Sequence, residues 1–458
     1  MNPMKRRGFL AGVPVWGAGQ ARAAAAARPN ILYIHSHDTG RYIQPYGHAV
    51  PTPHLQRLAE EGVLFRQAFS AAPTCSPSRA ALLTGQSAHS SGMLGLAHRG
   101  FRLHDYRQHL VHTLASAGYT TLLAGVQHVI AAPEVSKIGY DRILLDRTRA
   151  PEVAAAAAAF LESHPREPFF LDAGFHETHR EFPPAGPRED ERHALPPVPI
   201  PDTPSTRRDM AQFKASARVI DQAVGDILSA LARAGLAERT LVISTTDHGI
   251  AFPGMKCNLT DHGIGVMLLM RGPGGFHGGK VCDAMVSQID IFPTLCDLLG
   301  LEHPRWLEGR SLLPLVDGKV AQLHEEIFAE VNFHAAYEPQ RAVRTARWKY
   351  IRRFDDRARP NLPNCDDGLS KSLWLENGWR NQPVAREALY DLLFDPAERR
   401  NLAAEPGQRE VLADMRGRLE RWMRSTRDPL LHGPLQPPPG ARINDPEGTS
   451  PRETPRLV

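Results

Sequence analysis

Cysteine, net charge and long apolar runs are all scarce in this sequence, and each shortage excludes a class of protein. Five cysteines among 458 residues are too few for a disulfide-stapled scaffold. A formal net charge of +4 is too small for a protein that coats nucleic acid or another polyanion. No stretch is apolar enough over a sufficient length to span a bilayer. The chain can instead bury a large core, as two domains or as one domain with an appendage.

Residues 1–27 have the features of an export signal. Residues 4–10 read Met-Lys-Arg-Arg-Gly-Phe-Leu, a twin-arginine pattern, and an alanine-rich tract follows. The alternative is a disordered basic tail. We expect export to the periplasm or the outside of the cell. Because the twin-arginine route carries folded protein, a cytoplasmic modification would precede export.

Strand-like and helix-like segments alternate along residues 28–335. Apolar runs at residues 30–35, 168–175 and 240–246 predict buried parallel strands, and the stripe over residues 210–231 predicts a long core helix. This alternation predicts an α/β fold. We expect a large, mixed, mostly parallel sheet between helices.

The sequence pattern changes near residue 335. Residues 341–351 alternate like one antiparallel strand, and residues 408–423 have helical spacing. We therefore predict a smaller C-terminal α+β subdomain over residues 336–428. Residues 429–458 are rich in proline and predict a poorly ordered tail.

Groups that bind metals or move protons follow several predicted strands. These groups are His37, Asp38, His128, His179, Asp247 and His248. The carboxyl ends of parallel strands share one crevice, so we expect these side chains to converge there. A single histidine or a turn aspartate is more often structural, but several at successive strand ends favour a site.

Cys75 lies in a distinctive setting. It opens the pentapeptide Cys-Ser-Pro-Ser-Arg at the start of a predicted helix that Gly85 ends. The first-turn N–H groups and Arg79 would form an anion site beside the sulfur. The alternative is a buried structural cysteine at a loop-to-helix junction. The sequence leaves open whether the other cysteines pair: Cys257, Cys282, Cys296 and Cys365.

Together these motifs resemble the type I, formylglycine-dependent sulfatases of the alkaline phosphatase superfamily. The pentapeptide resembles the family's maturation signature, and the strand-end groups occur in the family's order over nearly the whole mature chain. Residues 84–96, 175–180 and 202–204 resemble those of the heparan N-sulfatase (sulfamidase)-like members, including bacterial ones.

The resemblance implies a role for each matching residue. A formylglycine-generating maturation enzyme would oxidise Cys75, and the hydrated aldehyde would attack sulfur. Arg79 would hold and acidify the diol. His128 and Lys256 would bind the sulfate oxygens or the diol, and His179 would be the general acid candidate.

The resemblance also implies one divalent cation, with calcium as the family's ion. The implied ligands are His37, Asp38, Cys75, Asp247 and His248. The family usually has two adjacent aspartates where His37 and Asp38 stand. Imidazole is a poor calcium ligand, so zinc, manganese and iron are alternatives. If His37 only hydrogen-bonds a ligand, the oxygen-rich calcium site survives.

Val126 is a second departure from the family pattern. The family usually has a lysine here that contacts the sulfate and the leaving group, and valine cannot hold an anion. Gln127 or Lys137 could take its place. The absence of this lysine affects the expected substrate and the expected rate more than it affects the expected class of reaction.

The sequence therefore predicts an exported sulfatase that hydrolyses a sulfate ester or N-sulfate, of a sulfated sugar first and of a small ester second. Alternatives are a phosphonate monoester or phosphodiester hydrolase that uses the same diol, and a catalytically inactive glycan-binding protein. Three residues are candidates for the substrate rim: Asn332, His334 and Glu338. The sequence leaves the oligomeric state open.

Overall fold

The main sheet lies at the centre of the computed structural model. The structure describes Met1 and residues 28–458, so the expected twin-arginine signal lies outside the described residues. The strands are β1 (Asn30–Ser36), β2 (Val63–Phe69), β3 (Thr120–Gly125), β4 (Arg142–Leu145), β5 (Phe169–Gly174), β6 (Thr240–Thr246), β7 (Gly265–Val266), β8 (Leu268–Arg271) and β9 (Lys280–Ser287). Their order is β4-β3-β5-β1-β6-β8-β2-β7, and β9 pairs with β2.

Most pairings in this sheet are parallel. The strand β1 pairs in parallel with β5 and β6, whereas β8 runs antiparallel to β6 and β2. The predicted mixed, mostly parallel sheet is therefore confirmed. Ile31 and Tyr33 of β1 pack into one core, and Leu32 and Ile34 pack into a second core. Because both faces are covered, the strand is continuously apolar.

Helices cover the sheet. Those of the described chain are α1 (Pro53–Glu61), α2 (Cys75–Thr84), α3 (Ala88–Ser91), α4 (Leu110–Ser116), α5 (Ala150–Glu162), α6 (Pro204–Arg233), α7 (Asp261–Ile264), α8 (Ile291–Leu299), α9 (Leu313–Val316), α10 (Leu369–Glu376) and α11 (Arg409–Ser425). The long helix α6 begins at a capping box between Thr203 and Thr206, and its apolar stripe is buried, as predicted. No helix in the described part of the chain is both long and apolar enough to cross a membrane.

A second, antiparallel sheet forms the predicted C-terminal α+β unit. Its strands, in order, are β10 (Glu326–Phe333), β11 (Tyr337–Thr345), β12 (Trp348–Arg353) and β13 (Glu387–Asp391). Helix α11 packs on this sheet through Trp422, whose ring stacks on Phe328 at 4.8 Å. The sheet begins at Glu326, ahead of the predicted boundary at residue 336.

Residues 341–351 form parts of two strands, so the prediction of one strand was wrong. The strands β11 and β12 are joined by a tight turn, in which the Trp348 amide donates to Thr345 Oγ1 at 2.9 Å. The apolar–polar alternation continues through Ala346 and Arg347, so the pattern contains no break that marks the turn.

The expectation of a poorly ordered tail was also wrong. A two-stranded sheet joins β14 (Arg442–Ile443) to β15 (Arg456–Leu457). Arg99 Nη1 donates to Asn444 Oδ1 at 2.7 Å, and Asn444 is fully buried. Contacts with a distant part of the chain therefore order this segment, and its composition does not reveal them.

Candidate active site

Cys75 is the first residue of α2 and is buried. Gly85 ends the helix with a φ of 69°, in the left-handed region that glycine adopts freely. Ser78 Oγ donates to the Asp247 carbonyl at 2.5 Å, which fixes the start of α2 against the end of β6. The predicted helix is therefore present, and its first turn lies at the carboxyl edge of the main sheet.

The five implied metal ligands form one buried cluster. They are His37, Asp38, Cys75, Asp247 and His248, and their ligand atoms all lie within 4.8 Å of one another. His37 and Asp38 follow β1, while Asp247 and His248 follow its parallel neighbour β6. The Asp38 amide donates to Asp247 Oδ1 at 2.8 Å and holds the two strand ends together. This donor set can hold a divalent cation.

Arg79 is buried beside Cys75 and points at the cluster. Its Nη2 donates to Asp247 Oδ2 at 3.1 Å and to the Ser36 carbonyl at 3.0 Å. Burial lowers the pKa of Arg79, but the nearby acidic groups, Asp247 foremost, together outweigh burial and raise it. On its other side it contacts His35, which pairs with Asp172 at 2.7 Å. The sequence did not single out His35 or Asp172.

Lys256 bridges two carboxylates. Its Nζ donates to Asp38 Oδ2 and to Asp366 Oδ2, each at 2.8 Å. Burial lowers the pKa of Lys256, but Asp366 and Asp38 outweigh burial and hold it well above its usual range. The sequence missed Asp366, whose signal was an acidic pair, Asp366 and Asp367, ahead of a glycine. Together with His179 and Asp38, Asp366 forms a second group able to hold a cation.

Four further imidazoles adjoin the cluster. The ring centroid of His37 lies 5.6 Å from that of His128, 4.8 Å from that of His179 and 6.2 Å from that of His176. His98 Nδ1 lies 3.0 Å from His128 Nε2. Burial, reinforced by His37, holds the pKa of His128 well below its usual range, so this ring is neutral. The sequence missed His98 and His176.

The two side chains expected to replace the family lysine have other partners. Gln127 Nε2 donates to the Ile130 carbonyl at 2.8 Å, and its Oε1 accepts from the Val129 amide at 2.7 Å. The Lys137 side chain is 59% exposed and pairs with Glu134. The expectation that either one substitutes for a lysine at Val126 was therefore wrong.

Two of the predicted rim residues belong to the polar packing of the second sheet. Asn332 Oδ1 accepts from buried Arg341 at 2.8 Å. Glu338 Oε1 accepts from Arg353 at 3.0 Å. These contacts give both residues a structural explanation.

His334, the third predicted rim residue, lies beside the site. Its buried Nδ1 has no hydrogen-bond partner in the described structure. Burial and the charge of Lys256 hold the pKa of His334 well below its usual range, so the ring is neutral. It stays a candidate for contact with substrate.

Comparison with known families decides the class of the protein. The family model described as Sulfatase matches residues 29–301, more than half of the chain. The chain belongs to the sulfatase family. A second model, described as N-sulphoglucosamine sulphohydrolase, C-terminal, matches residues 255–365 of this sulfatase. The predicted family and enzyme class are confirmed: the protein is a hydrolase of the sulfatase type.

Individual relatives agree with this assignment. Human N-sulphoglucosamine sulphohydrolase is 30% identical over 89% of this chain and 92% of its own. A Delta 4,5-hexuronate-2-O-sulfatase of Bacteroides thetaiotaomicron is 25% identical over 94% of this chain and 98% of its own. The solved structure of BT1596, a 2-O GAG sulfatase, has a TM-score of 0.70 at 22% identity over 93% of this chain and 99% of its own. That structural likeness supports the fold.

Proposed function

We propose that this sulfatase hydrolyses sulfate esters or N-sulfates with residue 75 as the nucleophile, after a maturation enzyme oxidises Cys75 to formylglycine. The observation that carries the proposal is the buried cluster of ligand atoms within 4.8 Å of one another that includes Cys75. A sulfated sugar is supported as substrate by the relatives named for N-sulphoglucosamine and for a hexuronate 2-O-sulfate. Export by the twin-arginine route is part of the same proposal.

The environment of Cys75 suits a converted side chain better than a thiol. Burial raises the pKa of the Cys75 thiol well above its usual range, so a thiol here would stay protonated and react poorly. A hydrated aldehyde offers one hydroxyl to attack sulfur while the ester oxygen or amine nitrogen leaves. Loss of a proton from the second hydroxyl then restores the aldehyde and releases sulfate. This route avoids a second attack at sulfur.

One divalent cation would occupy the cluster, with calcium as the first choice. His37 Nδ1 lies 2.9 Å from Asp38 Oδ1 and 3.2 Å from Asp247 Oδ2, so it can donate to a carboxylate and leave the carboxylate oxygens, not its own nitrogen, as ligands for calcium. His248 Nε2 faces Cys75 Sγ at 3.4 Å, and such a nitrogen suits zinc, manganese or iron. When bound, the ion would supply positive charge to a sulfate oxygen.

The surrounding side chains would bind the anion and handle protons. Lys256 supplies an ammonium group beside the cluster, and neutral His128 offers a ring nitrogen. His179 Nδ1 lies 2.5 Å from the Arg180 carbonyl and would donate to it. With a second proton on Nε2, as imidazolium, the ring would give that proton to the departing atom and keep the Nδ1 bond. Each of these assignments is part of the proposal.

The test is sulfate release by the full chain co-expressed with a maturation enzyme. One preparation is given glucosamine N-sulfate, a sugar O-sulfate and a phosphonate monoester. We expect sulfate release from wild type and from a Cys282→Ala control, and a loss of at least about a thousandfold in Cys75→Ala. Retained activity in Cys75→Ala, or faster cleavage of the phosphonate, would contradict the proposal.

A further inference from the structure

A largely apolar cavity of about 390 Å³ opens beside the histidines that adjoin the metal-ligand cluster. His37, His128, His176 and His179 line the end next to the site. The apolar lining side chains are Leu123, Val126, Ile130, Val135, Ile143 and Leu145. Ile143 is 43% exposed, so part of this apolar surface faces solvent.

The charge of the cavity wall bears on what can enter it. None of the described residues that line it is a lysine or arginine, and Asp146 is among them. A uronate or a second sulfate group would lose hydration there without gaining a cationic partner, which is unfavourable. Val126, two residues before His128 in the chain, contributes a buried apolar surface to the wall.

The cavity lies where a leaving group would pass. In a displacement at sulfur, as in phosphoryl transfer, the attacking and departing atoms stand roughly in line on opposite sides. Cys75 does not line the cavity, whereas His37 of the cluster and His179, the proposed general acid, do, so the cavity adjoins the group that would protonate the departing atom.

The geometry points to an aryl or alkyl group as the part of the substrate that leaves the sulfate, so that the preferred substrate is a small apolar sulfate ester. This inference rests on the proposed function and narrows its substrate. Within the two substrate classes that the sequence predicts, it selects the small ester over the sulfated sugar. Val126 and Ile143 then act as specificity residues.

The test is a series of ethyl, butyl and hexyl sulfates, with released sulfate as the readout. These alcohols differ little as leaving groups, so a change in kcat/KM reports contact with the chain. We expect a rise with length, about fourfold per methylene at full burial. Ile143→Asp should flatten the series, while Val281→Asp, at a residue 53% exposed on β9 outside the cavity, should retain it. Val135→Asp tests the same wall if Ile143→Asp does not fold.

The possible outcomes distinguish a failure of the substrate inference from a failure of the proposed sulfatase function. A rising series that Ile143→Asp or Val135→Asp flattens supports the inference. A flat series in a wild-type enzyme that hydrolyses glucosamine N-sulfate overturns the inference and leaves the proposed function standing. Failure of the matured enzyme to release sulfate from any of these compounds overturns both.

Discussion

At the scale of single residues, the site is a set of buried charges that neutralise one another. Arg79 pairs with Asp247 at 3.1 Å, and Lys256 pairs with Asp38 at 2.8 Å. Removing one member of a buried pair leaves the other uncompensated, at a cost of about 3–5 kcal/mol. Loss of activity in an alanine variant here therefore mixes stability with chemistry.

Arg79 is best tested by a variant that keeps its charge. Arg79→Ala should reduce both thermal stability and kcat, because Asp247 then loses its buried partner. Arg79→Lys should hold a charge but lose the two-point contact with Asp247 and the Ser36 carbonyl, so kcat should fall about a hundredfold or more with a smaller change in Tm. Measurements of kcat and Tm on the matured variants decide whether Arg79 acts in catalysis or only in folding. An unchanged kcat in Arg79→Lys would mean that the role of Arg79 is structural.

At the scale of elements, strand ends and one distant loop assemble the site. The ends of β1 and β6 supply the cluster, and the segments after β3 and β5 supply His128 and His179. The loop ahead of α10 adds Asp366, which meets Lys256 from the C-terminal side of the chain. This loop places a negative charge next to the ammonium proposed to bind sulfate.

Asp366→Asn tests this loop. Removing the carboxylate charge leaves Lys256 less compensated, so inorganic sulfate should inhibit about tenfold more strongly, which corresponds to about 1.4 kcal/mol. Asp367→Asn is the matched control, because Asp367 is partly exposed and pairs with Lys371 at 2.8 Å. Competitive inhibition by sulfate measures the effect. Weaker inhibition in Asp366→Asn would mean that Asp366 positions Lys256 and does not moderate its charge.

At the scale of the whole molecule, the sequence predicts those features of the fold that depend on neighbouring residues in the chain. The continuous apolar run of β1, the cap and stripe of α6 and the glycine after α2 each follow from neighbouring residues. The convergence of His37 and Asp247 follows from the rule that parallel strand ends share an edge.

The missed features depend on distant pairings. Asp366 meets Lys256 across 110 residues of chain, and Arg99 meets Asn444 across 345. The residues around each partner give no local sequence pattern that would predict such contacts. The β11–β12 turn was missed for another reason, since its alternation is unbroken. In the sequence, Val126 indicated only that the family's usual lysine is absent. The apolar cavity that Val126 lines became visible only in the folded structure.

The most direct test of the account is a crystal structure of the matured protein grown with calcium, with anomalous scattering to identify the bound ion. The account predicts an aldehyde or its hydrate at residue 75 and one divalent cation held by Asp38 and Asp247 beside it. An unmodified thiol at Cys75 in protein co-expressed with the maturation enzyme, or these carboxylates turned away from any ion, would contradict it.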